Sequence, residues 1–182
     1  APSSMEDYEI YYKTSHDNGE TWSKDIQLTE NGVDDLRPAI IQLTNGTIMI
    51  FWQTYISGSF NIVYKTTTDG TLWSDTKQLT THSANDKAPA ATQTKDGKIW
   101  VVWASRRTGD YEIFYKIYDG VSWRDDKRLT YSTNSDVQPA IIQAVDEEIL
   151  IFWASSTTTG SYDIYYKYSS DNGSAWSERS EF

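Results

Sequence analysis

The chain has 182 residues, 14 % of them aromatic, no cysteine and a formal net charge of −10. The acidity excludes nucleic acid and anionic lipid as partners, since both need a basic surface. The lack of cysteine excludes disulfides and thiolate metal sites, and no apolar run reaches the roughly 18 residues that a membrane-spanning helix requires.

Residues 1–30 open with a hexapeptide, Tyr8 to Lys13 (YEIYYK), followed by a turn and a run that closes on Leu28-Thr29. The hexapeptide recurs as Phe60 to Lys65 (FNIVYK), Tyr111 to Lys116 (YEIFYK) and Tyr162 to Lys167 (YDIYYK), at spacings of 52, 51 and 51 residues. A fixed period of this size marks a repeat architecture. No stretch carries a helical period.

The next unit shows what the period contains. Arg37 to Leu43 reads as a strand, and Asn45-Gly46 as the hairpin turn in which both central residues take positive φ. Thr47 to Trp52 is almost continuously apolar, as a strand covered on both faces must be. The hexapeptide is the third strand, and Leu72 to Leu79, after the Asp69-Gly70 turn, is the fourth. The following unit repeats this order from Ala88 to Leu129, and the last from Gln138 to about Ser177. Marker residues keep step: Pro38, Pro89 and Pro139; Trp52, Trp103 and Trp153.

Four antiparallel strands in 40–50 residues form the blade of a β-propeller, so the expected fold is all-β. Residues 1–30 supply a half blade, followed by blades at about 31–80, 81–130 and 131–178. Residues 179–182 fall outside the repeat as a tail. The sum is fourteen strands, or three and a half blades. An open arc leaves unpaired edges that recruit partners. Either a second copy (a homo-oligomer, with 28 strands in a dimer) or the remainder of a longer chain is expected to cover them.

Between the third and fourth strands lies Ser15-His16-Asp17-Asn18-Gly19-Glu20-Thr21-Trp22, and in the last unit Ser169-Ser170-Asp171-Asn172-Gly173-Ser174-Ala175-Trp176. The glycines permit a left-handed turn residue, and each aspartate can accept hydrogen bonds from the turn's own amides. Ser15, Thr21 and Ser169 offer hydroxyls to the same network, and Trp22 and Trp176 cover the hairpin. The pattern, S-x-D-x-G-x-T-W, resembles the Asp box of the bacterial neuraminidase repeat. Thr66 to Trp73 and Tyr118 to Trp123 are shortened versions. The resemblance implies an Asp-box propeller of the sialidase-like superfamily, with an extracellular or cell-surface location. It specifies fold more than function, because Asp boxes also mark glycosidases, receptors and other propellers.

The resemblance also implies where a ligand would sit: on the face opposite the Asp boxes, formed by the fourth-to-first and second-to-third connections. Arg37, Tyr55, Arg106 and Arg107 are the candidate contact residues there, since exposed aromatic and arginine side chains carry recognition. Sialidases hold a substrate carboxylate with three arginines and use a tyrosine nucleophile. Arg37-Pro38 resembles that family's R-I-P segment, with one residue missing. No full arginine triad is visible, and no catalytic residue is assigned. Asp35, Asp86 and Asp136 each precede the marker proline by three residues. They read either as Asx-type turns or as a carboxylate ring for a hard cation such as Ca²⁺, the one metal considered; no other cofactor is expected. The leading reading is a non-catalytic module that binds a glycan or a surface protein, or builds an assembly. The alternatives are a sialidase-type hydrolase and a purely structural array.

Overall fold

A computed structural model of the protein describes residues 7–182, so residues 1–6 of the expected half blade lie outside the described residues. The described residues form fourteen strands and no helix. The half blade holds β1 (Tyr11–Tyr12) and β2 (Ile26–Gln27). The first full blade holds β3 (Asp35–Gln42), β4 (Ile48–Ile56), β5 (Ser59–Thr67) and β6 (Lys77–Gln78). The second holds β7 (Asp86–Gln93), β8 (Ile99–Thr108), β9 (Asp110–Tyr118) and β10 (Lys127–Arg128). The third holds β11 (Asp136–Gln143), β12 (Ile149–Ser156), β13 (Tyr162–Ser169) and β14 (Ser180–Glu181). Each blade is an antiparallel meander in chain order, and β3, β7 and β11 lie side by side at the centre. This is the blade arrangement of a β-propeller, present as an open arc.

Two expectations shift. The fourth strand is a ladder of only two residues in each blade, because the segment after each Asp box runs exposed before it pairs; Leu72 and Val121 lie in solvent. Residues 179–182 are part of the last blade, not a tail. Ser180 and Glu181 pair with Tyr166 and Tyr165, the Phe182 amide donates to the Ile164 carbonyl at 2.9 Å, and the Phe182 ring meets Phe152 edge-on at 5.8 Å.

The core lies in the seams between blades. Ile10 and Leu28 of the half blade meet Ile50, Trp52 and Val63. Met49, Phe51 and Ile62 meet Val101, Trp103 and Phe114 in the next seam. Trp100, Val102, Ile113 and Tyr115 meet Ile149, Ile151 and Trp153 in the last. The marker tryptophans Trp52, Trp103 and Trp153 are fully buried. Burial of such a ring contributes on the order of 5 kcal/mol before entropy is counted. Side-chain amides tie the seams polarly as well. Gln93 accepts the Thr44 amide at 2.7 Å, and Gln143 accepts the Lys95 amide at 2.7 Å.

The tryptophan of each Asp box also works across a seam. Trp73 packs edge-on against Tyr12 at 5.8 Å, Trp123 against Tyr64 at 5.9 Å, and Trp176 against Tyr115 at 5.7 Å. Each tyrosine belongs to the preceding blade's hexapeptide. Trp123 and Trp176 donate their indole N–H to the tyrosine hydroxyls at 3.2 and 3.3 Å. Trp22 has no such neighbour among the described residues and is 61 % exposed.

Candidate functional site

Three matching irregularities shape the centre of the arc. The β3–β4, β7–β8 and β11–β12 ladders slip at Leu36/Ala39, Lys87/Ala90 and Val137/Ala140. Within each slip a non-glycine residue takes positive φ just before the marker proline: Arg37 (55°), Ala88 (52°) and Gln138 (52°). Such a conformation costs about 1–2 kcal/mol at each position. It persists because the surroundings hold it; the Ala88 amide, for example, donates to Gln53 Oε1 of the preceding blade at 2.9 Å. β-Bulges of this kind redirect side chains, and here all three redirected residues line one cavity.

That cavity, of about 410 Å³, spans three blades. Arg37 enters from the first full blade, Lys87 and Tyr111 from the second, and Gln138 and Tyr162 from the third. Two cations, two phenols and a carboxamide therefore converge on it, and among the described residues no carboxylate lines it. The arrangement can hold an anionic or polyhydroxyl group by charge, hydrogen bonding and ring stacking. It lacks a carboxylate positioned as general acid or base.

The candidate contact residues separate in the structure. Arg37 lines the cavity. Arg106 lies beside it, its guanidinium 6.0 Å from the Tyr111 ring and its Nε donating to the Gly109 carbonyl at 3.0 Å. Tyr55 is exposed one step further out, edge-on to Phe60 at 5.3 Å; the same Phe60 ring carries the Lys87 ammonium at 4.7 Å. Arg107 does not belong to the ligand group. Its donors are taken by Asp86 at 3.0 and 3.1 Å, Asp126 at 2.6 Å and the Ser105 hydroxyl at 2.8 Å, and its guanidinium sits on the Phe114 ring at 4.5 Å. Adjacent residues on a strand face opposite ways, so Arg106 reaches solvent while Arg107 turns onto its own blade.

The expected carboxylate ring is not assembled. Asp35, Asp86 and Asp136 are all buried, each within its own blade. Asp35 accepts from Asn31 Nδ2 at 2.8 Å and Asp86 from Arg107. Among the described residues no group of three or more His, Cys, Asp or Glu converges as metal ligands.

Lys87, Tyr111, Gln138 and Tyr162 were not singled out in the sequence. The signal for them was positional. Gln138 occupies Arg37's slot in its own repeat, and Tyr111 starts a hexapeptide whose other aromatic residues, Phe114 and Tyr115, are core, as Tyr162 starts one whose other aromatic residues are half-buried.

The Asp boxes form as structural turns on the opposite face. Ser15 Oγ donates to Asp17 Oδ1 at 2.7 Å and accepts the Gly19 amide at 2.8 Å; Asp17 also accepts the Thr21 amide at 2.9 Å and the Thr21 hydroxyl. These bonds, the Thr21 hydroxyl first, lower the Asp17 carboxyl from its ordinary 3.8 to about 2. In the last box Ser169 donates to Asp171 at 2.8 Å and Gly173 and Ala175 amides complete the turn at 2.8 Å each. The shortened boxes keep the essential bond: Asp69 accepts the Leu72 amide at 2.9 Å and Asp119 the Ser122 amide at 2.8 Å.

The blades, bulges and Asp boxes define a class of repeat propeller, and known families sharpen it. Residues 36–181 match the BNR repeat-like domain, so the chain belongs to that family. No curated protein matches the chain significantly. Among solved structures it is similar to the α-L-arabinanase of Penicillium chrysogenum (16 % identity, TM-score 0.76, covering 97 % of this chain and 59 % of that one). It is similar also to the α-L-arabinofuranosidase of Fusarium graminearum (14 %, TM-score 0.77, 97 % and 59 %). A third similar structure is the NanB sialidase of Streptococcus pneumoniae (12 %, TM-score 0.72, 97 % and 47 %). At these identities the likeness establishes the fold. The chain spans about half to three fifths of the length of those three proteins.

Proposed function

We propose that this protein is a non-catalytic, extracellular or cell-surface Asp-box propeller module that binds a glycan in the cavity at the centre of its arc. One observation carries the reading: the cavity brings together Arg37, Lys87, Tyr111 and Tyr162 from three blades with no carboxylate among its lining residues. Arginine and aromatic side chains supply recognition. Glycoside hydrolysis of the common kind needs a pair of carboxyl groups flanking the scissile bond, and the sialidase variant needs its tyrosine backed by acidic partners. Of the acidic residues adjacent in sequence to the lining, Asp86, Glu112 and Asp136 are buried, with Glu112 committed to Arg128 at 2.8 Å and to the Thr130 hydroxyl, and Asp110 and Asp163 do not line the cavity. The similar enzymes named above support a saccharide as the ligand class. Paired cations favour a sugar bearing a carboxylate.

A glycan array with the wild-type chain and the Arg37→Ala and Lys87→Ala variants tests this. Binding to acidic glycans that weakens about tenfold in each variant supports the reading. Binding unaffected by both variants would remove the cavity from the proposal. Turnover of a fluorogenic sialoside, lost in Arg37→Ala, would replace the binding module with a sialidase-type hydrolase.

A further inference from the structure

The second and third blades solve one problem differently. In the second, Asp86 pairs across the ladder with Ser105, and Arg107, two residues further on, puts its guanidinium against both. The third blade keeps the acceptors, with Asp136 opposite Ser155. The position matching Arg107 is Thr157, whose hydroxyl is engaged by Thr159 and Ser161 in the loop. Among the described residues no guanidinium hydrogen-bonds Asp136. Asp136 is completely buried, yet among the described residues neither of its carboxylate oxygens has a hydrogen-bond partner, and the Ser155 hydroxyl has none either. Ser155 and Thr130 approach the carboxylate without closing a bond, and Thr130 donates to Glu112 instead. A buried carboxylate left this way is costly. Burial also pushes the Asp136 carboxyl above its ordinary range.

In place of the guanidinium the third blade has a cavity of about 230 Å³, lined among others by Tyr131, Asp136, Trp153, Lys167, Glu178 and Arg179. Its charges balance: two acidic and two basic groups. The second carboxylate that grips Arg107 in the second blade, Asp126, is matched in the third by Arg179, since Lys127 pairs with Tyr115 as Ser180 pairs with Tyr166. A cationic ligand would face Arg179 and Lys167, and an anionic one Asp136 and Glu178. What fits is a neutral group that donates at one end and accepts at the other. Arg179 is available for this: its guanidinium stacks on Tyr165 at 3.4 Å, and among the described residues its side chain makes one hydrogen bond, a 3.4 Å contact to the Ser132 hydroxyl.

We propose that the seam between the second and third blades is a second binding site, for a neutral polyhydroxyl ligand of monosaccharide size, with Asp136 and Glu178 accepting from its hydroxyl groups and Arg179 and Lys167 donating to them. This site is separate from the central cavity and does not rest on it.

The test is a titration of the ¹⁵N-labelled chain with methyl β-D-galactopyranoside, following the Trp153 indole N–H, with glycine, methylguanidinium and sulfate as charge controls. A saturable shift with the galactoside is expected. It weakens about tenfold or more in Asp136→Asn and is unchanged in Arg37→Ala. In Thr157→Arg it disappears while the chain stays folded, because the new guanidinium fills beside Asp136 the place that Arg107 fills beside Asp86. The Thr157→Arg result stands even if Asp136→Asn does not fold. The site is overturned if the galactoside gives no saturable shift, if only a charged control does, or if Thr157→Arg folds and binds as well as wild type.

Discussion

The first Asp box and the last contain nearly the same residues but have different neighbours. Around Gly19 the turn stands in solvent; a β-carbon there would meet only Trp22 Cζ2 at an ordinary 3.8 Å. Around Gly173 the same turn is pressed against the second blade. A β-carbon there would collide with Cη2 of Trp100 and come within 3.2 Å of its Cζ3, and the Tyr115 hydroxyl reaches the Gly173 carbonyl at 3.4 Å. Both glycines have positive φ, 91° and 77°. The box is thus a self-sufficient turn that becomes a seam element only when a blade precedes it.

Substitution can break this contrast. The largest effect is expected at Gly173→Ala, which adds a collision to an unfavourable φ and should cost about 3 kcal/mol or more. Gly19→Ala should cost about 1 kcal/mol, from φ alone. Urea denaturation of the two variants measures the difference; equal losses would refute the seam role. Trp176→Ala should follow at about 2 kcal/mol, since the half-buried ring packs on both Trp100 and Tyr115. Trp22→Ala should stay within about 0.5 kcal/mol. Tyr115→Phe removes the acceptor of the Trp176 indole and should cost about 1 kcal/mol, while Tyr12→Phe, whose ring meets Trp73 without a hydrogen bond to it, should be close to neutral.

The smallest effect is electrostatic. Asp17 gains a hydroxyl bond from Thr21 that Asp171 lacks, because Ala175 stands in the matching place. Its folded pKa of about 2 lies below the ordinary 3.8, so its contribution is complete above about pH 4 and is lost as pH falls through 2. Carboxyl NMR titration should show Thr21→Ala moving Asp17 upward. A titration that does not move would mean the hydroxyl bond is not what lowers it.

How much of this was legible follows the range of the interactions. The hexapeptides and the buried marker tryptophans are local patterns, and the second and third strands fall where they place them; the hairpin at Asn45-Gly46 forms, but with positive φ at Gly46 alone and not at both central residues. The Arg106-Arg107 pair could not be divided from sequence, because which arginine meets Asp86 depends on the cross-strand register that sets Asp86 opposite Ser105. The cavity was hidden for a related reason: Arg37 and Gln138 reach it only through bulges whose positive φ no residue type announces. Residues 179–182 looked unlike the repeat because Arg179 and Glu181 replace residues of a different charge or size, yet the backbone pairing they complete is indifferent to those side chains.

The tryptophan-to-tyrosine contact runs one way, from each Asp box back to the blade before it, and so gives the arc a polarity. Among the described residues Trp22, at one end of the arc, meets no phenol, and at the other end the hexapeptide phenol Tyr166 stacks on Phe152 of its own blade. Further blades can extend this contact only head to tail. Two such arcs meeting like end to like end would leave this contact unmade at both ends.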